Sequence, residues 1–187
     1  MSDKKVLVFA GSVRTGSVNK RLAAAAAAEL ESAGASVTLI DLADFDAPLY
    51  SGDIEADSGI PASMQELRKL VKSHDAMFIT APEYNACVPP LIINVFSWVS
   101  RPQEGDDRLE AFAGRFAAIG AASPGAMGGM RMLPRLRDYL SELGLAVVPG
   151  IVSLPGAMEA FDGNGNIAAE RPREALAKQC ARLLSMI

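Results

Sequence analysis

The sequence has too few metal-binding side chains for a metal centre held by the protein. It contains two cysteines, Cys87 and Cys180, which are far apart, and a single histidine, His74. A catalytic zinc needs several histidine, cysteine or carboxylate ligands, and no Cys-x-x-Cys or paired-histidine motif is present. We therefore expect no metal site, and the sparse use of cysteine is typical of a reducing compartment.

The chain also lacks an excess of positive charge. Its 18 lysines and arginines are outnumbered by 22 aspartates and glutamates, which gives a net charge of −4. A nucleic-acid partner is therefore not expected. No apolar run reaches the roughly 18 residues that a membrane-spanning helix needs, and no signal-peptide pattern opens the chain. These absences predict a cytoplasmic protein without a membrane segment.

The sequence does contain enough apolar material for one large core. Of its 187 residues, 50% are hydrophobic and 21% are charged, a composition typical of globular proteins. We expect a single domain over residues 1–187.

Short apolar runs alternate with helix-forming stretches along the whole chain. Strands are predicted over residues 4–10, 36–42, 75–81, 114–122 and 145–154, and helices over residues 20–33, 61–73, 91–100, 130–143 and 172–186. This alternation predicts an α/β fold with a parallel sheet covered on both faces. Ligands of such open sheets bind where the strand order reverses, which in a flavodoxin-like arrangement lies between strands one and three. The long connection over residues 43–60 is expected to be irregular and to border a site or an interface.

The segment from Gly11 to Asn19, here called the first loop, has the composition of a phosphate-binding loop. Its glycines permit a sharp turn, and the helix that follows brings its positive dipole end to the same point. Several side chains of the loop can donate hydrogen bonds to phosphate oxygens. They are Ser12, Arg14, Ser17 and Asn19. The loop is thus predicted to bind a phosphomonoester, with an unoccupied polar turn as the alternative.

Two better-known phosphate loops fit this segment less well. A P-loop requires lysine after its second glycine, where this chain has Ser17. The glycine spacing also departs from the dinucleotide-binding fingerprint. Triphosphates and dinucleotides are therefore disfavoured as ligands of the first loop.

Two further polar loops follow the third and fourth predicted strands. The second loop, residues 82–90, offers the Tyr84 ring for stacking and the Asn85 amide for hydrogen bonds. The third loop, residues 123–129, contains glycines that allow close approach to a planar ligand. Because the carboxyl ends of parallel strands share one edge, all three loops are expected to meet. A phosphate site beside a site for a flat ring describes FMN.

The motif Gly11-Ser12-x-Arg14-x-x-Ser17-x-Asn19, together with Pro82-Glu83-Tyr84-Asn85, resembles the NADPH-dependent FMN reductase family, which includes quinone and chromate reductases. The resemblance covers nearly the whole chain. It implies a flavodoxin-like three-layer sandwich with a five-stranded sheet of order 2-1-3-4-5, non-covalently bound FMN, NADPH or NADH as electron donor, and a homodimer or homotetramer. It assigns the phosphate to Ser12, Arg14, Ser17 and Asn19, and the isoalloxazine ring to Pro82, Glu83, Tyr84 and Asn85, with Ser123 and Gly125 as further flavin neighbours.

The activity that this resemblance implies is a ping-pong, two-electron reduction of small acceptors. Quinones are the first candidates, followed by azo compounds, nitro compounds and chromate, and no catalytic side chain is expected because FMN carries the chemistry. Arg101, Arg131 and Arg135 are candidates for the 2′-phosphate of NADPH, with ordinary ion pairs as the alternative. A flavodoxin-like one-electron carrier is the second functional hypothesis. A phosphate-ester hydrolase is disfavoured because the first loop contains no Cys or Asp nucleophile.

Three further polar residues have structural explanations. Cys87 stands where relatives commonly have serine, and it is expected to be an inert, small packing residue, with a redox thiol near the flavin as the alternative. His74 follows a predicted helix and is expected to cap it. Asp41, at the end of the second strand, is expected to be a surface carboxylate.

Overall fold

The computed structural model describes residues 4–107 and 109–187. Its strands are β1 (Lys5–Ala10), β2 (Ser36–Ile40), β3 (Ala76–Thr80), β4 (Phe116–Ala122), β5 (Ala146–Val147) and β6 (Val152–Leu154). Its helices are α1 (Val18–Ser32), α2 (Gly52–Ser58), α3 (Ala62–Ser73), α4 (Pro90–Val99), α5 (Met132–Glu142) and α6 (Glu170–Leu184). Within the described ranges, every helix is too short or too polar to cross a bilayer.

The strands form one parallel sheet of order β2-β1-β3-β4-β5, in which β6 also pairs with β4. This confirms the predicted fold class and strand order. Strand β1 lies between β2 and β3, so the order reverses beside it. The first, second and third loops leave the carboxyl ends of β1, β3 and β4, which lie at the same edge of the sheet.

The core lies on both faces of the sheet, and β1 shows why its sequence is apolar throughout. Leu7 and Phe9 pack into the cluster that includes α3, α4 and α5. Val6 and Val8 point to the opposite face, into the cluster that includes α1 and α6. All four side chains are fully buried. A strand covered by helices on both sides buries both of its side-chain rows, which removes the usual polar alternation.

The prediction of one continuous strand over residues 145–154 is wrong. The chain leaves the sheet between β5 and β6, where Pro149 has no N–H to donate and Gly150 has a φ of 91°. The carbonyls exposed by this break are satisfied by side chains. Arg182 donates to the Pro149 carbonyl at 2.7 Å, and Arg137 and Gln179 donate to the Gly150 carbonyl at 2.7 and 3.2 Å. These partners lie far away in sequence or on other elements, so the local pattern does not reveal the break.

The connection over residues 43–60 is more ordered than predicted, since it contains α2 and follows a 3-10 turn at Leu42–Asp44. Helix α4 holds it in place. The Asn94 side chain accepts the Tyr50 N–H at 2.7 Å and donates to the Pro48 carbonyl at 3.0 Å, and the Trp98 indole donates to the same carbonyl at 2.9 Å. The connection is therefore fixed to the helix that begins at the end of the second loop.

The structural explanations of His74 and Asp41 agree with the contacts of both residues. The Nδ1 of His74 donates to the Leu70 carbonyl at 2.6 Å at the end of α3, and its Nε2 lies 2.8 Å from the hydroxyl of Thr38. Asp41 pairs with Lys20 and accepts the N–H of Ala43. Both residues make ordinary structural contacts.

Candidate functional site

The first loop presents two hydroxyl groups and a guanidinium that have no side-chain partner among the described residues. Ser12 and Ser17 are only 6% and 3% exposed, and within the described ranges neither hydroxyl makes a hydrogen bond to protein. Ser17 precedes the first turn of α1, whose N–H groups lie at the same point. Arg14 is exposed and forms no ion pair with another described residue. No side-chain N or O atom in the described ranges is both fully buried and unpartnered, so the two serine hydroxyls remain accessible. They are therefore suited to donate to a bound anion.

The two glycines of the first loop are required for different reasons. Gly16 has a φ of 69°, a left-handed conformation that other residues adopt at a cost. At Gly11 the constraint is space, because an added Cβ would lie 2.6 Å from the Cγ1 of Ile92 on α4. The first loop therefore packs directly against the helix that follows the second loop.

The Asn19 side chain is hydrogen-bonded inside the protein. Its Nδ2 donates to the Ala122 carbonyl at 2.9 Å, its Oδ1 accepts the Ala122 N–H at 2.8 Å, and the residue is 1% exposed. The Thr80 hydroxyl donates to the Asn19 carbonyl at 2.8 Å. In this structure Asn19 thus joins the start of α1 to the ends of β3 and β4. The contact of its side chain with a phosphate stays a prediction.

The second loop turns sharply just after Glu83. Asn85 and Ala86 have φ values of 53° and 61°, which are left-handed conformations and uncommon for residues other than glycine. Backbone hydrogen bonds between Tyr84 and Cys87 close the turn at 3.3 and 2.9 Å. Such strained turns are frequent at ligand sites. The Tyr84 residue is 50% exposed, which leaves its ring available for stacking.

The expectation that Cys87 is a packing residue is wrong. The residue is exposed, and it joins the turn through hydrogen bonds of its backbone. Cys180 is the buried cysteine of the chain, and burial, together with the nearby Glu29 carboxylate, raises the pKa of its thiol to about 12.

The Glu83 carboxylate lies against the start of α5. Its Oε2 accepts the N–H groups of Arg131 and Met132 at 3.1 and 3.2 Å. Its Oε1 accepts the Arg131 Nε at 2.8 Å and also the Nη2 of the same guanidinium. Burial opposes ionisation of this carboxyl, but the hydrogen bonds from Arg131 and Met132 outweigh it and lower the Glu83 pKa below its ordinary value. Glu83 thus connects the second loop to the helix after the third loop.

Replacing this carboxylate should have a pH-dependent effect on stability. Because the folded-state pKa is lowered, the stabilisation by Glu83 is fully present above the pKa of the unfolded chain and is lost as pH falls through the folded-state value. We expect Glu83→Gln to lower the melting temperature by about 2–6 °C above about pH 5. Thermal unfolding of both proteins from pH 7 to pH 3 tests this, and a difference that does not shrink in acid would contradict it.

The three loops enclose a cavity of about 150 Å³. It is lined by Ser12, Arg14, Ser17, Val18, Asn19, Pro82, Glu83, Tyr84, Ala122, Ser123 and Pro124. Every site residue predicted from the sequence is among them except Asn85 and Gly125. Val18, Ala122 and Pro124 are additional. Their side chains carry no chemical signal in the sequence, and they line the cavity because the fold places them next to the polar residues.

The third loop is packed closely against neighbouring strands. An added Cβ would lie 2.4 Å from the Ala121 Cβ at Gly129, and 2.5 Å from the Ser153 hydroxyl at Gly128. The Ser123 hydroxyl accepts the Gly125 N–H at 3.1 Å within the loop itself. The glycines predicted to allow approach to a ligand also allow this contact with β4 and the end of β6.

A larger cavity, of about 620 Å³, lies at the opposite edge of the sheet. Its polar lining includes Arg115, but this guanidinium donates to the carbonyls of Val71, Lys72, Glu110 and Ala113. Its hydrogen-bonding capacity is therefore used within the protein. Among the described residues, no group of three or more His, Cys, Asp and Glu side chains could hold a metal. The edge where the three loops meet is the better candidate site.

Comparison with protein families gives a match over most of the chain. The family of NADPH-dependent FMN reductases matches residues 4–159. An NAD(P)H-dependent FMN reductase from Pseudomonas aeruginosa is 34% identical over 182 residues, which cover 97% of this chain and 94% of that protein. A quinone reductase from Escherichia coli is 32% identical over 141 residues, which cover 75% of this chain and 71% of that protein.

Solved structures agree with the sequence matches. FerB, a flavoenzyme NAD(P)H:acceptor oxidoreductase from Paracoccus denitrificans, superposes with a TM-score of 0.80 at 26% identity, over 98% of this chain and 96% of that one. An archaeal flavodoxin superposes with a TM-score of 0.60 at 10% identity, over 97% of this chain and 98% of that one, which shows a shared fold.

Proposed function

Since the chain belongs to the NADPH-dependent FMN reductase family, an FMN- and NAD(P)H-using group of oxidoreductases, we propose that it binds FMN where its three loops meet and reduces quinones and other small acceptors. The observation that carries this proposal is the set of free donors in the first loop. The hydroxyls of two nearly buried serines, the exposed Arg14 guanidinium and the start of α1 converge on one small cavity. Their chemistry fits the phosphate of FMN.

The helix ends at the site favour one direction for the bound cofactor. The start of α5 is already capped by the Glu83 carboxylate, whereas at the start of α1 the Ser17 side chain forms no capping hydrogen bond within the described ranges. An anion is therefore better stabilised at α1, by Ser12, Arg14 and Ser17. With the phosphate there, the isoalloxazine ring would lie towards the second and third loops.

The exposure of the second loop supports a reductase that takes small substrates. A cavity of about 150 Å³ is too small to enclose a whole FMN molecule, so the ring would lie at its open mouth beside the half-exposed Tyr84. When bound, FMN supplies the two-electron chemistry, accepting reducing equivalents from NAD(P)H and passing them to an acceptor. The protein orients the ring and leaves one face accessible, which suits a ping-pong exchange of donor and acceptor.

Quinones are proposed as the first acceptors because stacking on a flat ring needs few specific contacts. The quinone reductase of Escherichia coli among the relatives supports this choice. Azo compounds, nitro compounds and chromate are further candidates. The flavodoxin-like one-electron carrier stays the alternative, supported only by the shared fold.

The proposal is tested by the visible absorption spectrum of the protein reconstituted with FMN, recorded without oxygen. NADPH or NADH should bleach the flavin band, and benzoquinone should restore it. Double-reciprocal plots of initial rate against nucleotide concentration, measured at several quinone concentrations, should give parallel lines. If FMN binds but neither nucleotide bleaches it, the electron-carrier alternative is favoured. If no FMN binds, the assignment of the first loop is wrong.

We further propose that the protein forms a homodimer or homotetramer, as the family resemblance implies. The exposed apolar residues Leu49 and Ile93 support this, because the connection that carries Leu49 is bonded to α4, which carries Ile93. Light scattering coupled to size-exclusion chromatography distinguishes these assemblies from a monomer.

A further inference from the structure

Glu83 is the point at which the second loop is attached to α5. Both of its carboxylate oxygens accept hydrogen bonds from the start of α5. The donors are the backbone and side chain of Arg131 and the N–H of Met132. The side chain is only 8% exposed. Glu83 therefore has little capacity left for a ligand, although it lines the cavity.

A second contact joins the same two elements. The guanidinium of Arg135, one turn further along α5, donates to the carbonyl of Ala86. Ala86 and its neighbour Asn85 are the left-handed residues of the second loop. Such conformations persist only where the surroundings hold them. Helix α5 thus contacts the second loop on both sides of Tyr84, the ring expected to face the flavin.

The charge of Glu83 is compensated within the protein and not by a ligand. A reduced flavin ring gains negative charge, and a nearby carboxylate would oppose this unless its own charge were compensated. Here the charge is compensated by the Arg131 guanidinium and by the positive end of the α5 dipole. This arrangement keeps the carboxylate directed at the helix.

We propose that Glu83 is a positioning residue for bound FMN. It acts through Arg131 and the start of α5, and it holds the second and third loops together around the cofactor. The inference rests on the proposed binding of FMN at this edge of the sheet. The family resemblance assigns Glu83 to the isoalloxazine ring as a direct contact. The inference replaces this direct contact with an indirect effect through Arg131 and α5.

The test is a double-mutant cycle on FMN affinity, with the dissociation constant measured by quenching of flavin fluorescence in wild type, Glu83→Gln, Arg131→Gln and the double variant. Each single change should weaken binding about three- to twentyfold, and the double variant should be little weaker than the worse single one. The circular dichroism of the bound flavin should change in both single variants.

A matched control is the Glu174–Lys178 pair, which is exposed on α6 with a separation of 3.4 Å. The corresponding Glu174→Gln and Lys178→Gln changes should leave FMN affinity and the flavin signal unaltered. This control removes charges of the same kind from a surface outside the cavity lining.

The outcomes separate this inference from the proposed function. If wild type does not bind FMN, the proposed function fails. If wild type binds FMN but the two single effects multiply in the double variant, Glu83 acts independently of Arg131 and the inference is overturned. An unchanged FMN affinity in Glu83→Gln, even with a lower melting temperature, would also overturn it, because the contact would then serve stability alone.

Discussion

Replacing Arg14 with glutamine is expected to weaken FMN binding by about ten- to a hundredfold, since a charge-assisted bond to phosphate contributes about 1.5–3 kcal/mol. The side chain is exposed and forms no ion pair with another residue in the described ranges. Its loss should therefore leave the melting temperature of the flavin-free protein unchanged. Fluorescence titration with FMN and with riboflavin, which lacks the phosphate, measures the effect.

The comparison between the two flavins makes this prediction specific. Arg14→Gln should weaken FMN binding strongly and riboflavin binding hardly at all. Arg171→Gln, at an exposed position on α6, removes the same charge elsewhere and serves as the control. An equal loss of affinity for both flavins would place Arg14 near the ring or the ribityl chain, contrary to the phosphate assignment.

Substituting Gly129 with alanine is expected to destabilise the protein by about 3 kcal/mol or more, which lowers the melting temperature by about 6–12 °C. Two costs add at this position. The φ of 83° is unfavourable for alanine, and the new Cβ would lie 2.4 Å from the Cβ of Ala121 on β4. Because Ala121 is buried in the sheet, the third loop would have to move.

A substitution at Gly144 allows the cost of the unfavourable φ to be measured apart from the cost of the steric contact. Its φ is 92°, but an added Cβ would meet no atom within 4 Å. Gly144→Ala should therefore show only the conformational cost, about 1–2 kcal/mol. Thermal unfolding of both variants measures the difference. If Gly129→Ala is no less stable than Gly144→Ala, the close packing of the third loop on β4 is contradicted.

These predictions concern residues of different kinds, and the sequence identified them unequally well. Arg14 is predicted directly as a phosphate contact, because a guanidinium in a glycine- and serine-rich turn before a helix has few other uses. Gly129 was noted as a glycine that permits close approach. The sequence did not indicate that the neighbour it approaches is Ala121, because that contact depends on how the loop folds back over β4.

The positions of the strands could be predicted because each strand carries its own signal. A short run buried on both faces, such as Val6–Phe9, is apolar throughout, and the alternation of such runs with helices indicates a parallel sheet. The fifth predicted strand shows the limit of this reasoning. Its break depends on whether distant donors such as Arg182 can satisfy the freed carbonyls, and no local pattern reports that.

What the sequence by itself determined is the local chemistry: the apolar runs of the sheet, the anion-binding composition of the first loop, and the loops that follow the strands. What only the tertiary structure decided is which of these polar groups remain free. Asn19 bonds to Ala122, 103 residues away, and Glu83 to Arg131, 48 residues away, whereas Ser12 and Ser17 have no partner among the described residues. Hydrogen bonds form between groups that the fold brings within about 3 Å, and sequence separation does not report that distance.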